Sequence, residues 1–277
     1  MMSKVALVKV DSDVQKSLKQ ALKLIGGIDD LNVTERSVVV KVGVFDPKTA
    51  NHPTVDVVSA IVDSFSKAPR IYLAESDNYR GTGLERLQIW KELFTERVVP
   101  FSLSNDSDTR EVEVASEKMK FSHLLFKPNL LVSTHALRKY DKGTILKNLF
   151  GLVPNRKKAR FHKKLERVIL DTYAAVGGVD LAVIDATRTF AGLAAAEGSA
   201  TNVLVVGRDA VAVETVGATL VGLNPEKMQV IRQAVERGFG EGSIENIKVL
   251  GNSLESVKEK FLQCAFKNVS SQSLTTF

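Results

Sequence analysis

Apolar residues in the first hundred positions change their period in a regular order. Residues 5–10 (VALVKV) form a nearly continuous apolar run, as a strand requires. Val14–Leu24 then repeats its apolar residues at helical spacing and stops at Gly26-Gly27. Residues 37–44 (SVVVKVGV) are β-branched and almost unbroken, the pattern of a strand covered on both faces. Pro53 opens a helix whose stripe is Val57, Val58, Ile61, Val62 and Phe65. A short strand at 70–74 and a helix at 84–94 follow. Strands alternating with helices across short connections predict a mainly parallel sheet.

The second half continues this pattern after a polar interval. Residues 104–120 (SNDSDTREVEVASEKMK) read as a loop with a hairpin arm around 111–114. Strands are expected at 129–132, 180–184, 203–206 and 247–250, and helices at 161–176, 226–236 and Leu254–Phe266. Asp209 is placed to N-cap an Ala/Val-rich helix reaching Leu220 and closed by Gly222. The polar end after this last helix is expected to fray. The predicted fold class is α/β, a mainly parallel sheet with helices on both faces. The chain is read as one unit, 1–277, with 1–135 and 136–277 as candidate lobes around a central cleft.

Composition narrows the setting. Hydrophobic residues make up 44% of the 277 positions and charged residues 25%, ordinary for a globular chain. No apolar run approaches the roughly 20 residues needed to cross a bilayer, and the start of the chain shows no signal-peptide pattern. With Cys264 as its one cysteine, the chain can form no internal disulfide and supply no cysteine-ligated iron–sulfur cluster. A soluble, cytoplasmic protein is the expectation. The net charge of +6 is concentrated in one stretch. Residues 138–168 hold eleven Lys and Arg against Asp141 and Glu166, or +9, while the rest of the chain has 27 basic and 30 acidic residues, or −3. One local cationic segment points to an anionic ligand, or a phosphate backbone, met at one place.

In parallel α/β sheets ligands bind beyond the carboxyl ends of strands. Polar residues collect there after four of the predicted strands: Asp46, Asn51 and His52; Glu75, Ser76 and Asp77; Ser133, Thr134, His135 and Arg138; Asp185 and Arg188. A return of the chain to solvent would give the same pattern. His135 and His162 suit metal ligation or proton transfer, and each could equally cap a turn. His123 sits in an apolar context and reads as structural. Lys147 lies within Ile-Leu-Lys-Asn-Leu-Phe, bracketed by Gly143 and Gly151. Either burial lowers its pKa and makes it a nucleophile or attachment point, or its stem lies along Leu146 and Phe150 while the ammonium reaches water. The basic run at 156–164 could track phosphates, or it could be a solvated helix face. The glycine clusters at 80–83 and 238–242 fit no phosphate-loop or dinucleotide fingerprint.

Several of these pieces fall in an order that resembles the family called domain of unknown function 362. They are Val38-Val39-Val40-Lys41, His52-Pro53 and a helix, Thr134-His135, and Leu146-Lys147-Asn148-Leu149-Phe150-Gly151-Leu152-Val153-Pro154 with His162 downstream. Val183-Ile184-Asp185-Ala186 and Arg208-Asp209-Ala210-Val211-Ala212-Val213 also fit. The family often has Lys-Pro-Asn where this chain has Lys41-Val42-Gly43, and Lys-Thr-His where it has Ser133-Thr134-His135. An amide and a cation are therefore missing from the implied pocket. Many relatives also carry a cysteine-rich ferredoxin module, which Cys264 alone cannot supply.

A fainter similarity is to the nickel-pincer lactate racemase family. That resemblance would make Lys147 the cofactor-attachment lysine, His162 the nickel ligand and His135 an acid/base. The second catalytic histidine it implies near 105–110 is absent, so two-base racemisation is not expected.

Together these readings predict a cationic pocket for an anionic small molecule or a metallocofactor, with a metal ion or a nickel-type group as candidate cofactor. Lys147 and Arg138 would hold the anion, His135 would transfer a proton, and His162 would ligate metal or bind the anion. Asp77 and Asp185 would orient the site, and Lys41, His52 and Asn148 would contribute to binding. The second reading is an RNA- or DNA-binding face at 156–164, and the third a scaffold that has lost an ancestral site. A homo-oligomer is compatible with each.

Overall fold

The unbroken β-branched stretch forms a five-residue strand, β2 (Val38–Val42), and every one of its residues is buried. Val38, Val40 and Val42 pack into one apolar layer and Val39 into the other, so period-two alternation supplies both faces of the sheet. The computed structural model describes residues 2–193 and 195–266. The polar end expected to fray lies outside the described residues.

The remaining strands are β1 (Ser3–Lys9), β3 (Ile71–Glu75), β4 (Val98–Ser102), β5 (Thr109–Val114), β6 (Glu117–Ser122), β7 (Leu130–Arg138), β8 (Leu181–Phe190), β9 (Ser199–Gly207) and β10 (Ile247–Gly251). The helices are α1 (Val14–Leu24), α2 (Val55–Ser64), α3 (Gly83–Leu87), α4 (Ile145–Asn148), α5 (Leu165–Ala175), α6 (Ala210–Leu220), α7 (Gln229–Glu236) and α8 (Leu254–Phe266). Eight strands make one sheet in the order β10-β1-β9-β8-β7-β2-β3-β4, and β5 and β6 form a separate hairpin. Only β9 runs against its neighbours, pairing antiparallel with β1 and β8, so the expected mainly parallel sheet is present. Helices α1, α2 and α3 cover one face; α4 to α8 cover the other.

Strand order sets the place of the site. From β2 the chain moves outward through β3 to β4, and from β7 it moves the opposite way through β8 to β9. The switch between β2 and β7 opens a crevice at the carboxyl ends of the strands, where open α/β sheets take ligands.

Residues 98–102, for which the pattern predicts no element, form an outer strand that tolerates Pro100 because an edge position can spare an N–H. Three expectations change. β7 runs to Arg138 and β8 to Phe190, so His135, Arg138, Asp185 and Arg188 lie within strands, and residue 135 is inside β7. The expected helix at 84–94 is α3 followed by a 3₁₀ segment, Gln88–Leu93, broken at Trp90. The helix expected from 161 begins as a 3₁₀ segment, Ala159–Lys164, so His162 precedes α5. The hairpin arm is present.

No described helix is long and apolar enough to cross a membrane.

Candidate functional site

Lys41 is the charged residue of β2, and the strand's alternation turns it to the same face as Val39, toward α4. It is 1% exposed. Its ammonium donates to the Glu75 carboxylate (2.9 Å), the Asn148 side-chain carbonyl (2.9 Å) and the Val42 carbonyl (3.2 Å). Asn148 in turn donates through Nδ2 to the carbonyls of Lys41 and Thr134 and to the Ser133 hydroxyl. The amide thus pins α4 across the β2–β7 switch. Glu75, at the end of β3, also faces the Arg86 guanidinium at 3.3 Å. Burial pushes the Glu75 carboxyl upward, but Lys41, Arg86 and Lys158 outweigh it and hold the group below its ordinary value. Burial lowers Lys41 more than Glu75 raises it. Gly151 is needed beside this pair, because a Cβ there would sit 2.5 Å from Lys41 Cε and 2.9 Å from Glu75 Oε1.

His135 and Arg138 project from the adjoining strand. The Nδ1 of His135 lies 3.0 Å from the Ala136 carbonyl, an arrangement in which Nδ1 carries the proton and donates. Nε2 then accepts from Arg138 Nη1 at 3.1 Å. Burial, and next the Arg138 charge, hold His135 well below its ordinary value, so the ring is neutral. It lies flat against β2 because position 43 has no side chain; a Cβ on Gly43 would approach His135 Cδ2 to 1.9 Å. Arg138 is 4% exposed, its Nε has no partner, and no carboxylate among the described residues lies within ion-pair distance. Burial brings its guanidinium down to about 10.

Lys147 stands on α4, whose start is fixed from below. Glu214, 1% exposed on α6, accepts from the backbone N–H of Thr144 (2.8 Å) and Leu146 (2.8 Å). Gly143, at φ +91°, leaves room for that carboxylate, where a Cβ would come within 2.8 Å of Oε2. Burial raises the Glu214 carboxyl even though these donors oppose it. Glu214→Ala is expected to cost about 2–3 kcal/mol in urea unfolding, because two buried N–H groups lose their acceptor. An unchanged midpoint would remove Glu214 from the support of α4.

The Lys147 ammonium is half-buried, lies 4.3 Å from the Phe150 ring centre and has no hydrogen-bond partner among the described residues. Burial, reinforced by Arg138, Lys158 and Lys41, brings it down to about 7. Lys158 is brought to about 7 for the same first reason, but it donates to the Ser76 hydroxyl and to the Asp77 carbonyl at 3.0 Å.

These groups line one cavity of about 260 Å³. It brings together six of the nine candidate residues: Lys41, His135, Arg138, Lys147, Asn148 and His162. His162 is exposed at the mouth, its ring 6.0 Å from that of Phe150. The other three are used elsewhere. Asp185 accepts from the backbone and hydroxyl of both Thr54 and Thr187, tying β8 to the start of α2. Asp77 accepts from the Gly83 N–H at 2.8 Å and fastens the start of α3. His52 packs edge-on against Trp90, with Nδ1 on the Pro53 carbonyl.

Sequence reading passed over Arg86 and Glu214, and it placed Glu75 at a strand end and Lys158 in the basic run without giving either a part in the pocket. Glu214 had a signal, a lone carboxylate in an Ala/Val-rich helix. Lys158 had none, since it is one of several cations in the basic run. In that run Arg160 and Lys164 pair with Glu117, and Arg156 donates to the Asn78 carbonyl at 3.3 Å.

The donor chemistry suits an anion better than a metal ion. Five cationic side chains and one carboxylate, Glu75, line the cavity. No group of three His, Cys, Asp or Glu among the described residues could hold a metal. A bare cation would meet like charge, and the inner imidazole has both ring nitrogens engaged.

Residues 38–219 match a family model described as "Domain of unknown function (DUF362)". Comparison with curated proteins returns no match.

Proposed function

The chain belongs to the domain of unknown function (DUF362) family, and from that premise we propose that its crevice binds a small anionic molecule. One observation carries the reading: Arg138 is a buried guanidinium without a carboxylate partner, facing the same cavity as an amine, Lys147, that also has none. Burying an unpaired cation is costly, and an anion entering the cavity offsets that cost. Lys41 and Arg86 share the Glu75 carboxylate, and Lys158 is held by the Ser76 hydroxyl and the Asp77 carbonyl, so the cations left without an oxygen partner among the described residues are Arg138 and Lys147.

In this reading His135 is a positioning residue. With Nδ1 on a carbonyl and Nε2 on Arg138, it aims the guanidinium and has no free lone pair for proton transfer. Asn148 and Glu214 hold α4, and through it Lys147. Phe45, Phe150 and Leu193 supply apolar lining that strengthens charge pairing by excluding water. The likeness to nickel-pincer racemases would use Lys147 and His162, but the surrounding donor set does not fit a protein-held metal, and no step is assigned to one.

Sulfate titration tests the reading, because sulfate keeps its charge across the range examined. Lys147 is cationic below about pH 7 and neutral above it. Sulfate affinity is therefore expected to fall about tenfold between pH 6 and pH 9, a change of about 1.4 kcal/mol. Arg138→Met should remove most of the binding measured by calorimetry. Equal affinity at both pH values, or full binding by Arg138→Met, would overturn the proposal. Tight binding of a short RNA with a steep loss on adding salt would favour the basic face at 156–164 instead.

A further inference from the structure

We infer that Lys147 condenses with the carbonyl of a 2-oxo acid whose carboxylate rests on Arg138. The inference rests on the anion-binding reading and adds the substrate class and a covalent step. The geometry has three parts. Lys147 Nζ has no hydrogen-bond partner among the described residues, neither an acceptor for its protons nor a donor on its lone pair, whereas Lys41 and Lys158 each donate to at least two acceptors. It faces the same small cavity as Arg138, whose planar fork suits a carboxylate. Phe150 packs against the amine at 4.3 Å, and Phe45, Tyr79 and Leu193 extend the apolar lining.

Those features match the needs of imine formation. The amine must be neutral to attack, and burial beside other cations brings Lys147 to about 7. Its lone pair attacks the carbonyl carbon, and the carbonyl π pair moves to oxygen, which takes up a proton. The nitrogen loses a proton to solvent, the hydroxyl takes a second proton from solvent and leaves as water, and the nitrogen lone pair closes the C=N bond of the protonated imine. No oxidant or reductant is required. A ligand with only a carboxylate would meet Lys147 as a charge and leave its lone pair unused; an adjacent carbonyl uses the lone pair as well.

Borohydride trapping of the intact protein with pyruvate, and separately with glyoxylate, tests the step. Hydride reduces the imine to a stable secondary amine, so with pyruvate one adduct should add the mass of pyruvic acid less one oxygen. Peptide mapping should place it on Lys147, with labelling on the order of a hundredfold ahead of surface lysines near pH 7, where those remain protonated. Lys147→Arg, checked for folding by circular dichroism, should lose the adduct. Adducts spread over surface lysines, or none on Lys147 while pyruvate still displaces sulfate, would overturn the imine and leave anion binding standing. If neither pyruvate nor sulfate binds, both readings fail together.

Discussion

Gly43→Ala is expected to destabilise the protein by about 2–3 kcal/mol and to reduce sulfate affinity at least tenfold. The added methyl would stand 1.9 Å from His135 Cδ2 and 2.5 Å from Cγ. The backbone cannot retreat easily, since the Gly43 N–H is bonded to the Thr134 carbonyl at 2.9 Å. The imidazole must therefore leave. Arg138 then loses the acceptor that aims it, and the crevice loses its fixed cation. Urea unfolding and calorimetric titration measure the two effects. The double variant Gly43→Ala/His135→Ala should recover most of the stability and little of the affinity, because the clash is removed while Arg138 stays unaimed. Simple additivity of the two stability losses would show that ring and glycine are not in competition. With His135 seated as it is, no side chain fits at 43.

Glu75→Gln is expected to cost about 3–5 kcal/mol at pH 7, the typical penalty for stranding one side of a buried ion pair. Here one carboxylate serves both Lys41 and Arg86, each 1% exposed. The pH dependence has a definite sign. Glu75 titrates lower in the folded protein than its ordinary value. Its contribution is complete above the unfolded carboxylate range and is lost as pH falls through the lower folded value. The stability gap between wild type and Glu75→Gln should therefore be widest near neutrality and close in acid. Adding Lys41→Met to Glu75→Gln should restore part of the stability, because the stranded ammonium is replaced by an apolar chain of similar length while Arg86 keeps only its carbonyl acceptors. A gap that persists unchanged into acid would assign the loss to packing rather than charge.

Local pattern was sufficient for much of the fold. The spacing of apolar residues located α1, β2 and α6, and the Asp209 cap and Gly222 stop were readable because such devices act within a turn of chain. Where tertiary position decides, local pattern falls short. It predicts no element at β4, whose Pro100 is harmless because an edge place does not need its N–H. β7 and β8 continue past their apolar cores because neighbouring strands pair with polar residues too.

For the site, the chain itself named the reactive types: a lysine among apolar residues, an arginine three positions beyond a histidine, and a concentration of positive charge. Only the tertiary structure decided which of these charges are spent. Lys41 and Glu75 are 34 positions apart, Arg138 has no carboxylate among the described residues within ion-pair distance, and Glu214 reaches α4 from 68 positions downstream of Leu146. Whether a buried charge is neutralised depends on the groups within a few ångströms of it. The strand order that sets those neighbours, with β7 inserted beside β2, leaves no short-range trace in the sequence.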